Sequence, residues 1–262
     1  MTAAHRSSFR IALLLEYDGA AYGGSQRQAN APSVQGALEE AIGRLTGESV
    51  RAAFAGRTDA GVHALGQVAA FDTGAGHAPQ VWRRALNALL PKDIAVRAAA
   101  EVEERFDPRR QARRREYQYT IWNAPVRSPL LARLAWHVAS PLDTGRMNEA
   151  SRLLEGEHDF AAFGGSPGEG RSTRRRVFRA EVLGGGRRVA FEIEGNAFLP
   201  HQVRRTVGAL VEIGRGKLEP GAFARWLAEP EPGVAGPAAP PHGLCLMRVD
   251  YEGHGPPFGE DD

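Results

Sequence analysis

Hydrophobic and polar positions in the first hundred residues change period several times along the chain. The unbroken apolar run at 11–15 is typical of a buried strand, whereas the apolar residues after Ser33 recur at helical spacing, with Ser33 as the N-cap. The pattern predicts strands over 9–19, 49–56, 65–73 and 93–102, and helices over 33–47 and 81–91. Their order is β-α-β-β-α-β.

The rest of the chain repeats that plan. Its pattern predicts a strand over 115–124, a mainly helical stretch over 143–163, a hairpin over 177–198 with its turn at Gly184–Gly186, a helix over 200–217 and a strand over 244–253. Two split β-α-β arrangements in succession predict an α+β protein made of two ferredoxin-like halves. We expect halves at 1–105 and 106–262, with antiparallel sheets that line a shared central cleft.

Basic residues are unusual in kind and in position. Of 33 basic residues only Lys92 and Lys217 are lysines, so 31 are arginines, whose planar group suits phosphate contacts and stacking on bases. A GC-rich genome would also favour arginine. The arginines nevertheless come in blocks, at 109–115, 171–179 and 204–205, and we expect most of the compensating acids elsewhere, as in the C-terminal GEDD. This clustering predicts a positive RNA-binding groove.

Two segments do not fit the repeated plan. Residues 163–176 are glycine-rich and basic, and we interpret them as a mobile loop that faces RNA. Residues 228–243 are rich in proline, glycine and alanine, which suits packing or a linker, and for them we favour a plain solvent-exposed loop.

Several kinds of site are excluded by what the sequence lacks. A single cysteine, Cys245, permits no internal disulfide and no cysteine zinc cluster, and it indicates a reducing compartment, the cytoplasm. The run at 11–15 is too short for a membrane span or a signal core. There is no P-loop, dinucleotide fingerprint, HExxH or GxSxG, and Asp59 with His63 lacks a third metal ligand. We therefore expect no metal, no nucleotide cofactor and no membrane partner.

The stretch AGRTDAGVHA at 55–64 carries the strongest candidate chemistry. An aspartate in a short, glycine-flanked connection usually forms a turn by bonding its own backbone. Here, however, Arg57 and His63 lie close to Asp59 in sequence, and the turn follows a strand whose sheet we expect to line the cleft. Asp59 is therefore a candidate catalytic carboxylate.

The longer stretch AGRTDAGVHALGQVAAF at 55–71 is similar to the signature of the TruA-type tRNA pseudouridine synthases. Further segments resemble that family in the family's order: EYDGAAYGGSQRQ (16–28), SVQGALEEA (33–41), NALLPKDIAV (87–96), REYQYTIWN (115–123), LLEGEHDFAAF (153–163), GNAFLPHQVRRTVGALVEIGRGK (195–217) and APPHGLCLMRVDY (239–251). The resemblance spans nearly the whole chain.

The resemblance implies an isomerase that converts uridine to pseudouridine at positions 38, 39 and 40 of the tRNA anticodon stem-loop, without a cofactor. It implies Asp59 as the catalytic carboxylate and Arg204 as the cation that favours its charged form. It also implies that Tyr117 packs on the flipped uracil and that Arg57 helps to hold the nucleotide out of the stem.

Other roles follow from the same resemblance. Arg109, Arg115 and the RSTRRR loop at 171–176 would contact phosphates, and Leu244 would line the pocket. Tyr119, two residues beyond Tyr117 on the same strand face, is better explained as a core residue. Because the family's tRNA is held across two subunits, a homodimer is expected.

The sequence departs from the family pattern at three places. The family's GWQ is Gly24–Ser25–Gln26, its His-Ala-Arg is Asp107–Pro108–Arg109, and Arg205 replaces a common asparagine. An alternative function is a non-catalytic RNA-binding module of ferredoxin-like fold, but the aromatic pattern such modules use to stack bases is not found. A glycosidase would need a second acid to act with Asp59, and the sequence offers no convincing one.

Overall fold

The computed structural model describes residues 8–165, 172–252 and 257–258. These residues form ten β-strands and five α-helices, and most of the strand pairs are antiparallel. The fold class is therefore mixed α+β with mainly antiparallel pairing, as predicted. The chain divides into two compact units: the first contains the chain up to Arg113 and again from Met247, and the second contains Arg114–Leu246.

The first unit is built around β1, which lies between two antiparallel neighbours. Its elements are β1 (Phe9–Tyr17), α1 (Val34–Thr46), β2 (Ala53–Phe54), β3 (His63–Thr73), α2 (Pro79–Leu89) and β4 (Ile94–Val102). β1 pairs with β3 and with β4, so Leu13 lies opposite Ala69 on one side and Ala99 on the other, and β2 adds to β3. The observed order is the predicted one, β-α-β-β-α-β.

The two helices of this unit begin and end for local reasons. The Ser33 side chain accepts a hydrogen bond from the Gly36 N–H and caps α1, which ends at Gly47 in a left-handed conformation with φ of 75°. On α2, the buried Trp82 packs edge-on against Phe71 of β3, with 5.4 Å between ring centroids. Burying a large apolar side chain contributes about 1.5–3 kcal/mol, so this contact holds α2 firmly on β3.

The second unit contains a longer series of elements. They are β5 (Arg114–Asn123), β6 (Trp136–Val138), α3 (Thr144–Arg152), β7 (Gly156–Asp159), β8 (Arg174–Gly185), β9 (Arg188–Gly195), α4 (Gln202–Gly214) and α5 (Ala222–Ala228). β9 pairs antiparallel with β5 and with β8, β7 pairs antiparallel with β8, and β6 is parallel to β5. The last strand, β10 (Leu244–Asp250), begins in the second unit and ends in the first.

The prediction of a mainly helical stretch over 143–163 is wrong in its second part. α3 ends at Arg152, and β7 follows after three residues and pairs with the first residues of β8. Gly156 has φ of 109°, a conformation that glycine adopts without strain and that no helix contains. The backbone hydrogen bonds to β8 then make residues 156–159 a strand, because strand formation depends on the partner strand more than on local preference. β6 and α5 were likewise not predicted.

The predicted hairpin is confirmed, with its turn slightly later than expected. Gly184 and Gly185 still pair with Val189 and Arg188, so the turn is made by Gly186, with φ of 88°, and Arg187. Of the basic loop predicted over 163–176, residues 166–171 lie outside the described residues, and its end, from Arg174, is already β8. The acidic tail at 259–262 also lies outside them.

Candidate active site

Asp59 lies in the connection between β2 and β3. Its carbonyl oxygen accepts a hydrogen bond from the Val62 N–H (3.2 Å), and Gly61, third in this four-residue turn, has φ of 77°. Such a turn needs a residue that tolerates positive φ at this position, which explains the glycine. At the start of the connection the Ala55 N–H donates to the Val68 oxygen of β3 (2.8 Å). The loop is therefore short and bonded to the strand it enters.

Buried polar side chains hold the loop from beneath. The hydroxyls of Thr58 and Tyr17 lie 2.9 Å apart, and Gln67 Nε2 donates to the Tyr17 hydroxyl (3.3 Å) and to the Gly56 oxygen (2.9 Å). Tyr17, Thr58 and Gln67 are all buried, whereas Arg57 is exposed and Asp59 is half-buried. The loop thus turns Thr58 into the unit and leaves Asp59 and Arg57 accessible at its surface.

Two glycines of the segment after β1 let this loop approach closely. A β-carbon on Gly19 would lie 1.9 Å from the Val62 oxygen, and one on Gly24, whose φ is 119°, would lie 2.8 Å from the Thr58 oxygen. Both distances are shorter than real β-carbons allow. The Tyr22 oxygen also accepts from the Gly61 N–H (3.3 Å). The segment therefore supports the Asp59 loop. This role could not be predicted from the segment itself, because it depends on contacts with a loop that is distant in sequence.

His63, which we considered above as a metal ligand together with Asp59, contacts the segment after β1. Its ring is buried, and Nδ1 lies 3.2 Å from the Gly19 nitrogen and 3.1 Å from Asp18 Oδ1. The His63 ring is therefore held against the turn that follows β1. Among the described residues, no group of three or more His, Cys, Asp or Glu residues could hold a metal ion.

Tyr117 and Tyr119 lie two residues apart on the same face of β5 in the second unit, and both are buried. The Tyr117 ring packs edge-on against Phe198, with 5.4 Å between centroids and planes at 89°. The Tyr119 hydroxyl donates to the Pro240 oxygen (2.7 Å), and burial raises the pKa of Tyr119 above its usual range. Tyr119 is completely buried, which confirms it as a core residue.

Arg204 lies on α4 and is held by the segment at 228–243. Its Nε donates to the Ala239 oxygen (2.8 Å), and the Ala239 N–H donates back to the Arg204 oxygen (2.9 Å). Its Nη1 lies 3.5 Å from Nδ1 of His201, the residue before α4, which has φ of 61°. The proline-rich segment therefore packs against α4 and orients Arg204. This agrees with the packing interpretation and not with the favoured one of a plain solvent-exposed loop.

The remaining candidates sit in different surroundings. Arg115 on β5 is buried and its Nη1 donates to the Asn196 oxygen (2.6 Å), so its guanidinium supports the end of β9. Arg109 is exposed in a turn where Asp107 Oδ1 accepts from the Arg109 N–H (2.9 Å). Leu244 is buried at the start of β10. Thus Asp59 and Arg57 share one loop of the first unit, Tyr117 and Arg115 share β5 of the second, and the others stand on separate elements.

Some arginines of the blocks pair with acids on neighbouring strands. Arg114 Nη1 lies 2.6 Å from Glu194 on β9, and Arg174 Nε lies 3.4 Å from Glu157 on β7. Arg179 has three glutamate neighbours: Glu116, Glu181 and Glu192. Glu181 lies two residues from Arg179 on β8, whereas the other partners are distant in sequence and are brought together by strand pairing. The β5–β9–β8 surface therefore carries less net positive charge than the blocks suggest.

Among the described residues, no helix has the length and apolar character needed to span a bilayer.

Comparison with known proteins finds relatives over most of the chain, including the Asp59 loop. The family described as "tRNA pseudouridine synthase" matches residues 14–109 and 150–252. The "tRNA pseudouridine synthase A" of Geobacter sulfurreducens is 47% identical, covering 92% of this chain and 99% of that protein, and that of Pelobacter propionicus is 46% identical with the same coverage. The Myxococcus xanthus protein of that name is 46% identical over 95% of this chain and 94% of its own length. The chain belongs to the tRNA pseudouridine synthase family.

Proposed function

We propose that this protein isomerises uridine to pseudouridine in tRNA, at positions 38, 39 and 40 of the anticodon stem-loop. The observation that carries the proposal is the GRTDAG loop, whose aspartate is accessible while the residues beside it are fixed by buried hydrogen bonds. Membership in the family supplies the reaction class.

The reaction rearranges one nucleoside without a net change in composition. The bond from C1′ to N1 breaks, the uracil rotates in place, and a bond from C1′ to C5 forms, after which the C5 proton leaves and N1 carries a proton. Asp59 acts in its ionised form, as a nucleophile or as a base. A cation nearby favours that form, and we assign this role to Arg204, which rests on the resemblance.

The target base must leave its stack before it can react. Extruding a nucleotide costs a few kcal/mol, which contacts in the pocket must offset. We propose that Tyr117 packs on the flipped uracil, that Arg57 holds the displaced nucleotide outside the stem, and that Leu244 lines the pocket. The edge-on contact of the Tyr117 ring with Phe198 would keep that ring in place.

Binding of the RNA body is a separate part of the proposal. We propose that Arg109 contributes phosphate contacts; Arg115 is not assigned one, because its guanidinium is buried and bonded to the Asn196 oxygen. We also propose that the two halves, 1–105 and 106–262, are ferredoxin-like and line the tRNA cleft, and that the enzyme works as a homodimer. Because tRNA is modified inside the cell, the proposal places the enzyme in the cytoplasm.

Mapping of the modified positions tests the proposed function. Unmodified tRNA would be incubated with the wild type or with Asp59→Asn, treated with carbodiimide, and copied by primer extension. Stops one nucleotide 3′ of positions 38, 39 and 40, with the wild type alone, are expected. Stops elsewhere in the tRNA would overturn the assigned positions, and tight tRNA binding without stops would favour a non-catalytic RNA-binding module.

A further inference from the structure

Ser25 is bonded to both main-chain groups of the residue that precedes Asp59. Its hydroxyl oxygen accepts from the Thr58 N–H (2.9 Å), and its own N–H donates to the Thr58 oxygen (3.1 Å). Ser25 is only 1% exposed, so neither bond competes with water. The main-chain carbonyl oxygen of Ser25 accepts from the Gln35 N–H in the first turn of α1 (2.9 Å), so Ser25 is also bonded to a helix.

These two bonds fix the peptide groups on both sides of Thr58. The Thr58 nitrogen belongs to the planar peptide that joins it to Arg57, and the Thr58 oxygen belongs to the one that joins it to Asp59. With both planes held, the Cα of Asp59 can move little at its N-terminal side. At its C-terminal side the turn bond from Val62 N–H holds the Asp59 carbonyl. The backbone of Asp59, which bears the carboxylate, is therefore held on both its N-terminal and its C-terminal side.

We propose that Ser25 is a positioning residue for the Asp59 carboxylate, a role that rests on the proposed function. The resemblance implies a tryptophan at this place in the family, and an indole can only donate a hydrogen bond, so it could not accept from the Thr58 N–H. This chain instead uses a buried serine hydroxyl. Because a displacement of about 1 Å at a reacting group can lower a rate about 100-fold, the loss of one such bond is expected to affect chemistry more than binding.

The experiment compares Ser25→Ala and Ser25→Cys with Thr73→Val. Thr73 is a control for stability because it is also buried, its hydroxyl oxygen also accepts from a backbone N–H, that of Ala75 (3.1 Å), and it lies at the other end of β3 from the Asp59 loop. Its hydroxyl also donates to Glu48 Oε2 (2.5 Å), so valine removes one bond more than Ser25→Ala does. For each protein we would measure the single-turnover rate of pseudouridine formation, the Kd for tRNA and the Tm.

Ser25→Ala is expected to lower the single-turnover rate by about 10- to 100-fold while the Kd for tRNA stays within about threefold of the wild type. Thr73→Val should lose at least as many degrees in Tm, because it also breaks the bond to Glu48, and yet keep its rate. Ser25→Cys fills the volume with a sulfur that accepts hydrogen bonds weakly, so it should remain slow. It also serves as the test if Ser25→Ala does not fold.

Three outcomes would overturn the assignment. A wild-type rate in Ser25→Cys would mean that volume, not the hydrogen bond, is what matters. Equal losses of rate in Ser25→Ala and Thr73→Val would show a general effect of stability. A wild-type rate in Ser25→Ala, with the wild type active in the same assay, would reject the role of Ser25 alone, whereas an inactive wild type would reject the proposed function with it.

Discussion

Replacing Gly24 by alanine tests whether the segment after β1 supports the Asp59 loop by close contact. Gly24 has φ of 119°, and an added β-carbon would lie 2.8 Å from the Thr58 oxygen, a backbone atom that Ser25 also bonds. The conformation alone costs about 1–3 kcal/mol for an L side chain. The contact adds to this, because the loop must shift. We expect Gly24→Ala to lower the free energy of unfolding by about 2–4 kcal/mol.

Gly47→Ala separates the two contributions to that loss. Gly47 has φ of 75° at the end of α1, and a β-carbon there meets nothing within 4 Å. It should therefore cost only about 1–2 kcal/mol for the left-handed conformation. Urea denaturation gives both values, provided that the slopes agree with the wild type. The rate of pseudouridine formation should fall in Gly24→Ala alone. Equal stability losses in both variants and a wild-type rate in Gly24→Ala would refute the reasoning.

Three further outcomes are expected. Tyr119→Phe should lower the free energy of unfolding by about 0.5–1.5 kcal/mol, because the half-buried Pro240 oxygen loses its donor, and denaturation curves that match the wild type would argue against that bond. A zinc chelator, with Mg²⁺ kept in the buffer for the tRNA, should leave the rate unchanged, and inactivation reversed by added zinc would contradict a metal-free reaction. Affinity for tRNA should fall steeply as salt rises, since phosphate contacts release counterions, and a flat response in filter binding would count against contacts such as that of Arg109.

The elements with strong local signals were predictable from the sequence. Ser33 marks the start of α1 because a serine hydroxyl caps the free N–H groups of a first turn, and the structure shows that bond to Gly36. That Tyr117 and Tyr119 share one buried face of β5 likewise follows from the two-residue period of a strand. These features depend on a few neighbouring residues, and so the chain reveals them without its tertiary structure.

Features that depend on a distant partner were not predictable in this way. β7 exists because β8 supplies its ladder bonds, and Arg179 meets Glu116 only because β9 brings β5 and β8 together. The support of the Asp59 loop by Tyr17 and Gln67 also joins residues far apart in sequence. The sequence offered one signal of this support. Gln67 lies at an inward position of an apolar strand, and a buried polar side chain needs hydrogen-bond partners.

The central claim is that Asp59 carries out the chemistry, and tritium release tests it most directly. Because the C5 proton leaves during the reaction, tRNA with tritium at C5 of uridine releases label only when pseudouridine forms. We would compare the wild type, Asp59→Asn and, as a control, Asp72→Asn, whose exposed carboxylate pairs with Arg10 at the other end of β3. Release by the wild type and Asp72→Asn, but none by an Asp59→Asn protein that still folds and binds tRNA, is the predicted result. Release by Asp59→Asn at the wild-type rate would contradict the claim.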